Sequence, residues 1–411
     1  MRIVILGAGI GGQVVANELR RLLPREHHVT IVERELRHAF APSFLWVMTG
    51  DRQPEQVTRD VRDLVRPGVE VLEGQVRGID VANRRVRFDH ESLTYDYLVV
   101  ALGAELAPEA VPGLAAGAPH SFYTLDGAAR LRAALEDVTG GTIAVVVSAL
   151  PYKCPGAPHE GAMLLADYFR RQRPGHGVSV HLFTPEPQPM PVAGPALGDA
   201  VLHMLEQRGV QFHPSHKLTA VTPDTRELLF EGKPPVTYDL LVAIPPHRPP
   251  AVVREAGLAN ESGWIPVDRE TLATPHERVF AIGDVTAVQI PGRWKPDVPL
   301  MLPKAGVFAH AQALAVARRI AAEIKGERPA ATFCGDGFCM LEAGEELAGV
   351  AFGDFFHEPS PEVHVKSIGR AWHLGKVLFE RWWLSPWGVR RALLRSALSV
   401  GSRIVGVPVT L

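Results

Sequence analysis

The 411-residue chain has only three cysteines, Cys154, Cys334 and Cys339, too few for a disulfide framework at this length. It has no run of 18 or more apolar residues, which argues against a membrane-spanning helix. It has no charge excess. The 43 lysines and arginines nearly cancel the 45 aspartates and glutamates, a formal net charge of −2, so no electrostatic footprint for a nucleic-acid partner exists. Cysteines and histidines lack the spacing of a zinc site, and no metal is expected. The first strand begins at Arg2, leaving no room for a signal peptide, so the chain is expected on the cytoplasmic side. Hydrophobic residues, 46% of the chain, are enough for a sizeable interior, and the length calls for two or three domains.

A further absence is local. The apolar strand Ile143 to Val147 runs into a turn where a dinucleotide-binding fold would carry a glycine fingerprint, and the glycines are missing. In their place stand Ser148-Ala149-Leu150-Pro151-Tyr152-Lys153-Cys154-Pro155, with Glu160 six residues past the cysteine. A glycine-rich turn lets backbone approach a pyrophosphate, whereas bulky residues and proline close that space. An NAD(P)H site has been replaced by one that presents a thiol.

The missing fingerprint is present at the other end of the chain. Arg2 to Leu6 reads as a buried parallel strand. Gly7-Ala8-Gly9-Ile10-Gly11-Gly12 follows, then a helix from about Gln13 to Leu23 and a strand from Val29 to Val32 that ends in Glu33. Gly7 makes the tight turn, Gly9 admits a pyrophosphate, Gly12 allows close helix–strand packing, and Glu33 accepts from a ribose hydroxyl. Further on, Tyr95 to Gly103 is an apolar strand ending in a small-residue turn. Val279 to Ile282 is another, ending in Gly283-Asp284 before an Ala-rich helix from about Ala305 to Ile324. An acid at such a strand mouth suits a ribityl hydroxyl, and a helix N-terminus there favours negative charge at a flavin's edge. Alone, Asp284 would read equally well as a turn or cap residue; together these features point to FAD.

The middle of the chain repeats the βαβ pattern, with strands at Ile143–Val147 and Val178–Phe183 and helices near Gly161–Arg171 and Ala196–Arg208. Tyr238 to Pro246 echoes Tyr95 to Gly103. The expected fold class is α/β, with two Rossmann-like domains, the second inserted in the first, and a C-terminal α+β segment with amphipathic helices. The expected boundaries are 1–138 and 246–326 for the FAD-binding domain, 139–245 for the second Rossmann-like domain, and 327–411 for the C-terminal segment.

With these residues assembled, the chain resembles the sulfide:quinone oxidoreductase and flavocytochrome c sulfide dehydrogenase branch of the two-dinucleotide-domain flavoproteins, over nearly its full length. The specific matches are Tyr152-Lys153-Cys154-Pro155-Gly156 followed by Glu160, Ile244-Pro245-Pro246-His247, and Leu302-Pro303-Lys304-Ala305-Gly306. Gly335-Asp336-Gly337-Phe338-Cys339 leading to Glu342, and Phe379-Glu380-Arg381-Trp382-Trp383-Leu384, complete them. The resemblance implies a redox pair of Cys154 and Cys339 that takes electrons from sulfide or a related small sulfur donor. It implies Glu160 as a base and Lys304 as a stabiliser of a reduced anionic ring. Cys334 is left as partner, resolving thiol or inert residue. Many family members carry one more cysteine about thirty residues before the first redox cysteine, and this chain has none near 120–126.

The tail from Lys376 to Arg403 mixes tryptophans with arginines, which suits a monotopic helix at a lipid membrane surface and hence a membrane quinone as acceptor. The competing reading packs those tryptophans into the protein or across a homo-oligomer. Two rival functions are a type II NADH:quinone oxidoreductase and a non-turnover flavin protein with a regulatory disulfide.

Overall fold

In the computed structural model, residues 1–89, 91–117, 119–295, 298–407 and 409 are described. The β-branched run Arg2–Leu6 is the centre of a five-stranded parallel sheet. It pairs with His28–Glu33 on one side and Tyr97–Val100 on the other, with Val69–Glu73 and Val279–Ala281 at the edges. Ile3, Ile5 and Leu6 are fully buried. Ile3 and Ile5 face the helix side, while Val4 and Leu6 pack with Ile79, Val86 and Phe88 of a three-stranded antiparallel sheet and with Val252 and Val253, so every side chain meets a core. The Ile10–Leu22 and Gly306–Lys325 helices pack against each other on one face.

A second parallel sheet has the order Gln211–His213, Val178–Phe183, Gly141–Val147, Leu240–Ile244. Its strands all fall between Tyr97–Val100 and Val279–Ala281 of the first sheet, so the chain leaves one sheet, builds the other and returns. The Ala157–Gln172 helix starts four residues earlier than its hydrophobic pattern predicts, with Pro158 in its first turn, where a missing N–H carries no penalty. Glu160 therefore lies in that first turn.

The C-terminal segment is a three-stranded antiparallel sheet, Asp336–Glu342, Ala348–Asp354 and Glu362–Gly369, followed by the helices Arg370–Trp383 and Val389–Val405. The sheet brings Cys339 beneath the Ala157–Gln172 helix, and the first of these helices lies across both. The strand C-termini of the two parallel sheets and this segment enclose one cleft of about 1110 Å³, where open α/β sheets bind their ligands.

Candidate active site

The floor of the cleft is built by the first glycine turn. Gly7 has φ +95°, and a Cβ there would stand 2.5 Å from the Ala101 carbonyl oxygen. A Cβ on Gly12 would stand 1.9 Å from the Gly7 carbonyl oxygen, so both glycines serve close packing beneath the cleft. Gly9 does line the cleft, and a Cβ on it would meet nothing within 4 Å. It precedes a helix with no acidic residue in its first turn and no side-chain cap, which leaves amides for an anion. Glu33 accepts from the Ala8 amide at 2.6 Å, holding the acid beside the turn. Gly103, just past the neighbouring Tyr97–Val100 strand, also lines the cleft, at φ +68° with free space around it.

Gly283 is fixed through its amide to the Gln312 side-chain oxygen at 2.7 Å. Burial raises the neighbouring Asp284 carboxyl, opposed by the charges of Lys153 and Lys304. Lys304 donates to the carbonyls of Asp284, at 2.7 Å, and Thr286, at 3.0 Å, with its ammonium 3.5 Å above the Trp264 ring. Burial lowers it to about 8 despite Asp284. The side chain thus clamps the loop that carries Asp284 while still lining the cleft.

Cys154 follows directly. Its amide donates to the Lys304 carbonyl at 2.6 Å, and a bridge between Lys153 and Lys304 ties the two motifs together. The residue has φ +55°, a left-handed conformation that a non-glycine residue adopts at a cost and that clusters at functional sites. Cys339 reaches the same place from the C-terminal sheet: its Sγ is 3.4 Å from where a Gly156 Cβ would stand, with Glu160 Oε2 at 3.7 Å from that point. Both thiols line the cleft and are unbridged. Burial pushes Cys154 up to about 12, reinforced by Glu160, and it pushes Cys339 up as well. Cys334 is exposed and contacts only Thr332, at 3.9 Å, among its described hydrogen bonds.

Glu160 is one half of a buried ion pair. Lys376 donates to its Oε1, and the Glu342 amide donates to the same oxygen at 2.9 Å. Burial by itself would lower Lys376, but Glu160 and Glu342 outweigh it and hold the ammonium charged. His373, three residues earlier on the same helix, bonds Glu342 Oε2 at 2.9 Å and is raised by that contact. Glu380, one turn further on, accepts from Arg52 and Ser43. A polar stripe on one helix therefore reaches into the interior.

Beyond Cys154 the cleft continues to Glu186, just past the Val178–Phe183 strand. Tyr152 donates to Glu186 Oε2 at 2.8 Å, and Thr184 does so at 3.1 Å. Glu186 thus stands close to where a second nucleotide's ribose acid belongs, and the Tyr152 phenol already occupies it.

The family model described as pyridine nucleotide-disulphide oxidoreductase matches residues 1–313. The chain belongs to that family. Within it, the chain is 28% identical over 376 residues to the mitochondrial sulfide:quinone oxidoreductase of Mus musculus, covering 87% of this chain and 79% of that protein. It is 30% identical over 326 residues to a rubredoxin-NAD(+) reductase of Alcanivorax borkumensis, covering 76% and 77%. The X-ray structure of the sulfide:quinone oxidoreductase from Aquifex aeolicus superposes with a TM-score of 0.82 at 25% identity, over 93% of this chain and 90% of that one.

For a pyridine nucleotide-disulphide oxidoreductase, several participants lay outside sequence reasoning. Glu186, Tyr123 and Lys376 carry no motif in the sequence, and His373 reads there as a packing or surface residue. The spacing of His373, Lys376 and Glu380 along one aromatic helix is the signal that could have found the last two, since polar residues on an otherwise apolar face need buried partners. Trp382 and Trp383 are 4% and 1% exposed, so they belong to the interior. Trp383 donates to His38 at 2.9 Å, and Arg391 stacks over both rings. The following helix exposes Val389, Leu393, Val400 and Ile404, whereas the Arg370–Trp383 helix exposes Leu374.

Proposed function

We propose that this oxidoreductase oxidises sulfide, or a related small sulfur donor, through Cys154 and Cys339 and passes two electrons through FAD to a membrane quinone. The observation that carries the reading is the convergence of Cys339 on Gly156, two residues from Cys154, in the cleft that the dinucleotide turn also lines. The names of the Mus musculus and Aquifex aeolicus proteins support it.

The cleft fits FAD. Gly9 and the bare N-terminus of the Ile10–Leu22 helix would take the pyrophosphate, Glu33 a ribose, and Asp284 the ribityl chain. When bound, FAD supplies a two-electron acceptor that also donates onward to quinone. The chain's own chemistry is thiol–disulfide exchange. In a Cys154–Cys339 bridge, hydrosulfide attacks one sulfur, a new sulfur–sulfur bond forms and the old one breaks. Its electron pair leaves on the other cysteine as a thiolate. Lys376 holds positive charge beside that anion, and the Glu160–Lys376 pair fixes the wall behind Cys339.

Phe338, Phe352, Phe355 and Phe379 make an aromatic wall of the cleft, suited to a quinone ring. No helix among the described residues is long and apolar enough to cross a membrane. The exposed face of the Val389–Val405 helix, with Arg390 and Arg403 at its flanks, would lie on the lipid surface. The similarity to a rubredoxin-NAD(+) reductase raises the alternative of NADH as donor, but the turn after Val147 lacks the glycines that let backbone approach a pyrophosphate, and Glu186 is bonded to Tyr152.

Anaerobic addition of sulfide and then of NADH to the FAD-loaded protein, followed by flavin absorbance, tests the reading. Rapid bleaching by sulfide with NADH inert is expected. Bleaching by NADH alone would overturn it.

A further inference from the structure

The arm of the cleft beyond Cys154 is lined by Glu186 and, around it, by Met190, Val192, Ala193 and Leu197. Glu186 is 6% exposed. Both of its side-chain hydrogen bonds, from Tyr152 and Thr184, go to Oε2. Among the described residues, no hydrogen bond reaches Oε1 and no lysine, arginine or histidine pairs with the carboxylate. Oε1 is not among the fully buried atoms and keeps access to the cleft, and a carboxylate so largely buried without a cation is rare unless it exchanges a proton or meets a donor.

We propose that Glu186 is the general base for the sulfur donor, which enters this arm as a neutral S–H compound and loses its proton to Oε1. The inference rests on the sulfide reading above. In the step, the S–H bond breaks heterolytically, the proton moves to the carboxylate, and the electron pair stays on sulfur as hydrosulfide; nothing is oxidised or reduced. Charge decides the protonation state of the entering molecule. A second anion would be repelled by an unpaired buried carboxylate, while a neutral S–H group supplies the missing partner of Oε1. Glu160, the carboxylate that faces both thiols, is already engaged by Lys376 and the Glu342 amide, and Asp284 faces the charges of Lys153 and Lys304.

Several titratable groups surround Glu186, and Lys304, lowered by burial to about 8, lines the same cleft. Tyr152, from the turn, and Tyr123, ahead of the Leu125–Asp137 helix, are both raised by burial and stay protonated. Cys154 is likewise raised. From the adjoining Gln211–His213 strand and the loop after it, His213 stacks on Phe183 and is lowered by burial to about 4, while His216 packs edge-on against Phe230. Burial brings Glu186 itself to about 7, which suits a base working at neutral pH.

The test is the pH dependence of anaerobic flavin bleaching by sulfide in the FAD-loaded wild type, E186Q and Y152F. Wild-type bleaching, divided by the concentration of neutral hydrogen sulfide, should rise with pH through about 7. E186Q should lose that limb and slow by about 100-fold. Gln mimics the protonated acid, so an E186Q enzyme as fast as wild type would mean that hydrosulfide enters beside a neutral Glu186, and would overturn the proposal. Y152F removes a donor to the ionised carboxylate and should move the limb to higher pH; an unmoved limb counts against the proposal. A redox-independent readout is infrared difference spectroscopy of C154S, where sulfide should raise a protonated-carboxyl band that is missing in C154S/E186Q. No such band in C154S would also overturn it. A wild type that sulfide does not bleach would instead remove the sulfide reading, a distinct result.

Discussion

Lys376 closes a buried ion pair on Glu160 across 216 residues of chain, and so joins the C-terminal helix to the helix that follows Cys154. Removing one partner of such a pair leaves an uncompensated charge in the interior. K376M should therefore destabilise the FAD-loaded protein by about 3–5 kcal/mol in urea denaturation. E160Q/K376M should recover part of that loss, because the stranded carboxylate is gone. Equal stability of K376M and wild type would mean that the pair is solvated.

The thiols should separate cleanly. C154S and C339S are each expected to retain FAD and to lose bleaching by sulfide, since neither can form the bridge that hydrosulfide opens. C334S should keep a bleaching rate within about two-fold of wild type, because Cys334 is exposed and away from the cleft. Stopped-flow absorbance on the three variants reads all of this, and rapid bleaching in C154S would remove the cysteine from the electron path.

Glu186 predicts a pH effect on folding. Its native pKa is raised from 4.5 to about 7, so the folded protein holds a proton that the unfolded chain releases. The contribution is fully present below pH 4.5 and is lost as pH rises through 7. At about 1.4 kcal/mol per unit the loss is roughly 3 kcal/mol. Urea denaturation at pH 5 and pH 8 should show E186Q gaining on wild type at the higher pH, and parallel behaviour would refute the assignment.

The proposed lipid contact of the Val389–Val405 helix is tested by point substitution. Truncation after Gly375 would delete Lys376, Glu380, Trp382 and Trp383, all buried, and would damage the site along with any anchor. L393E/I404E alters only side chains that are 66% and 79% exposed. It should lower co-sedimentation with anionic vesicles at least about 10-fold while leaving anaerobic bleaching by sulfide unchanged. Undiminished binding would place the membrane contact elsewhere.

Local sequence determined the dinucleotide turn, because Gly7, Gly9, Gly12 and Glu33 act within one βαβ unit whose spacing fixes their geometry. It also determined the closed second turn, since Pro151 to Pro155 occupy space in any βαβ context. The α/β class was legible for the same reason: buried parallel strands carry continuous apolar runs and helices carry a 3.6-residue period. Tertiary structure alone decided how the site is completed. Cys339 meets Gly156, Lys376 meets Glu160, and the Tyr152 phenol meets Glu186 only because separate sheets and the C-terminal helix converge on one cleft. Such contacts have no periodicity to read. The tryptophans illustrate the limit: an aromatic, basic helix suits a lipid surface or a protein core equally well by composition. The polar stripe of His373, Lys376 and Glu380 settled which, because those charges find buried partners only when the helix face turns inward.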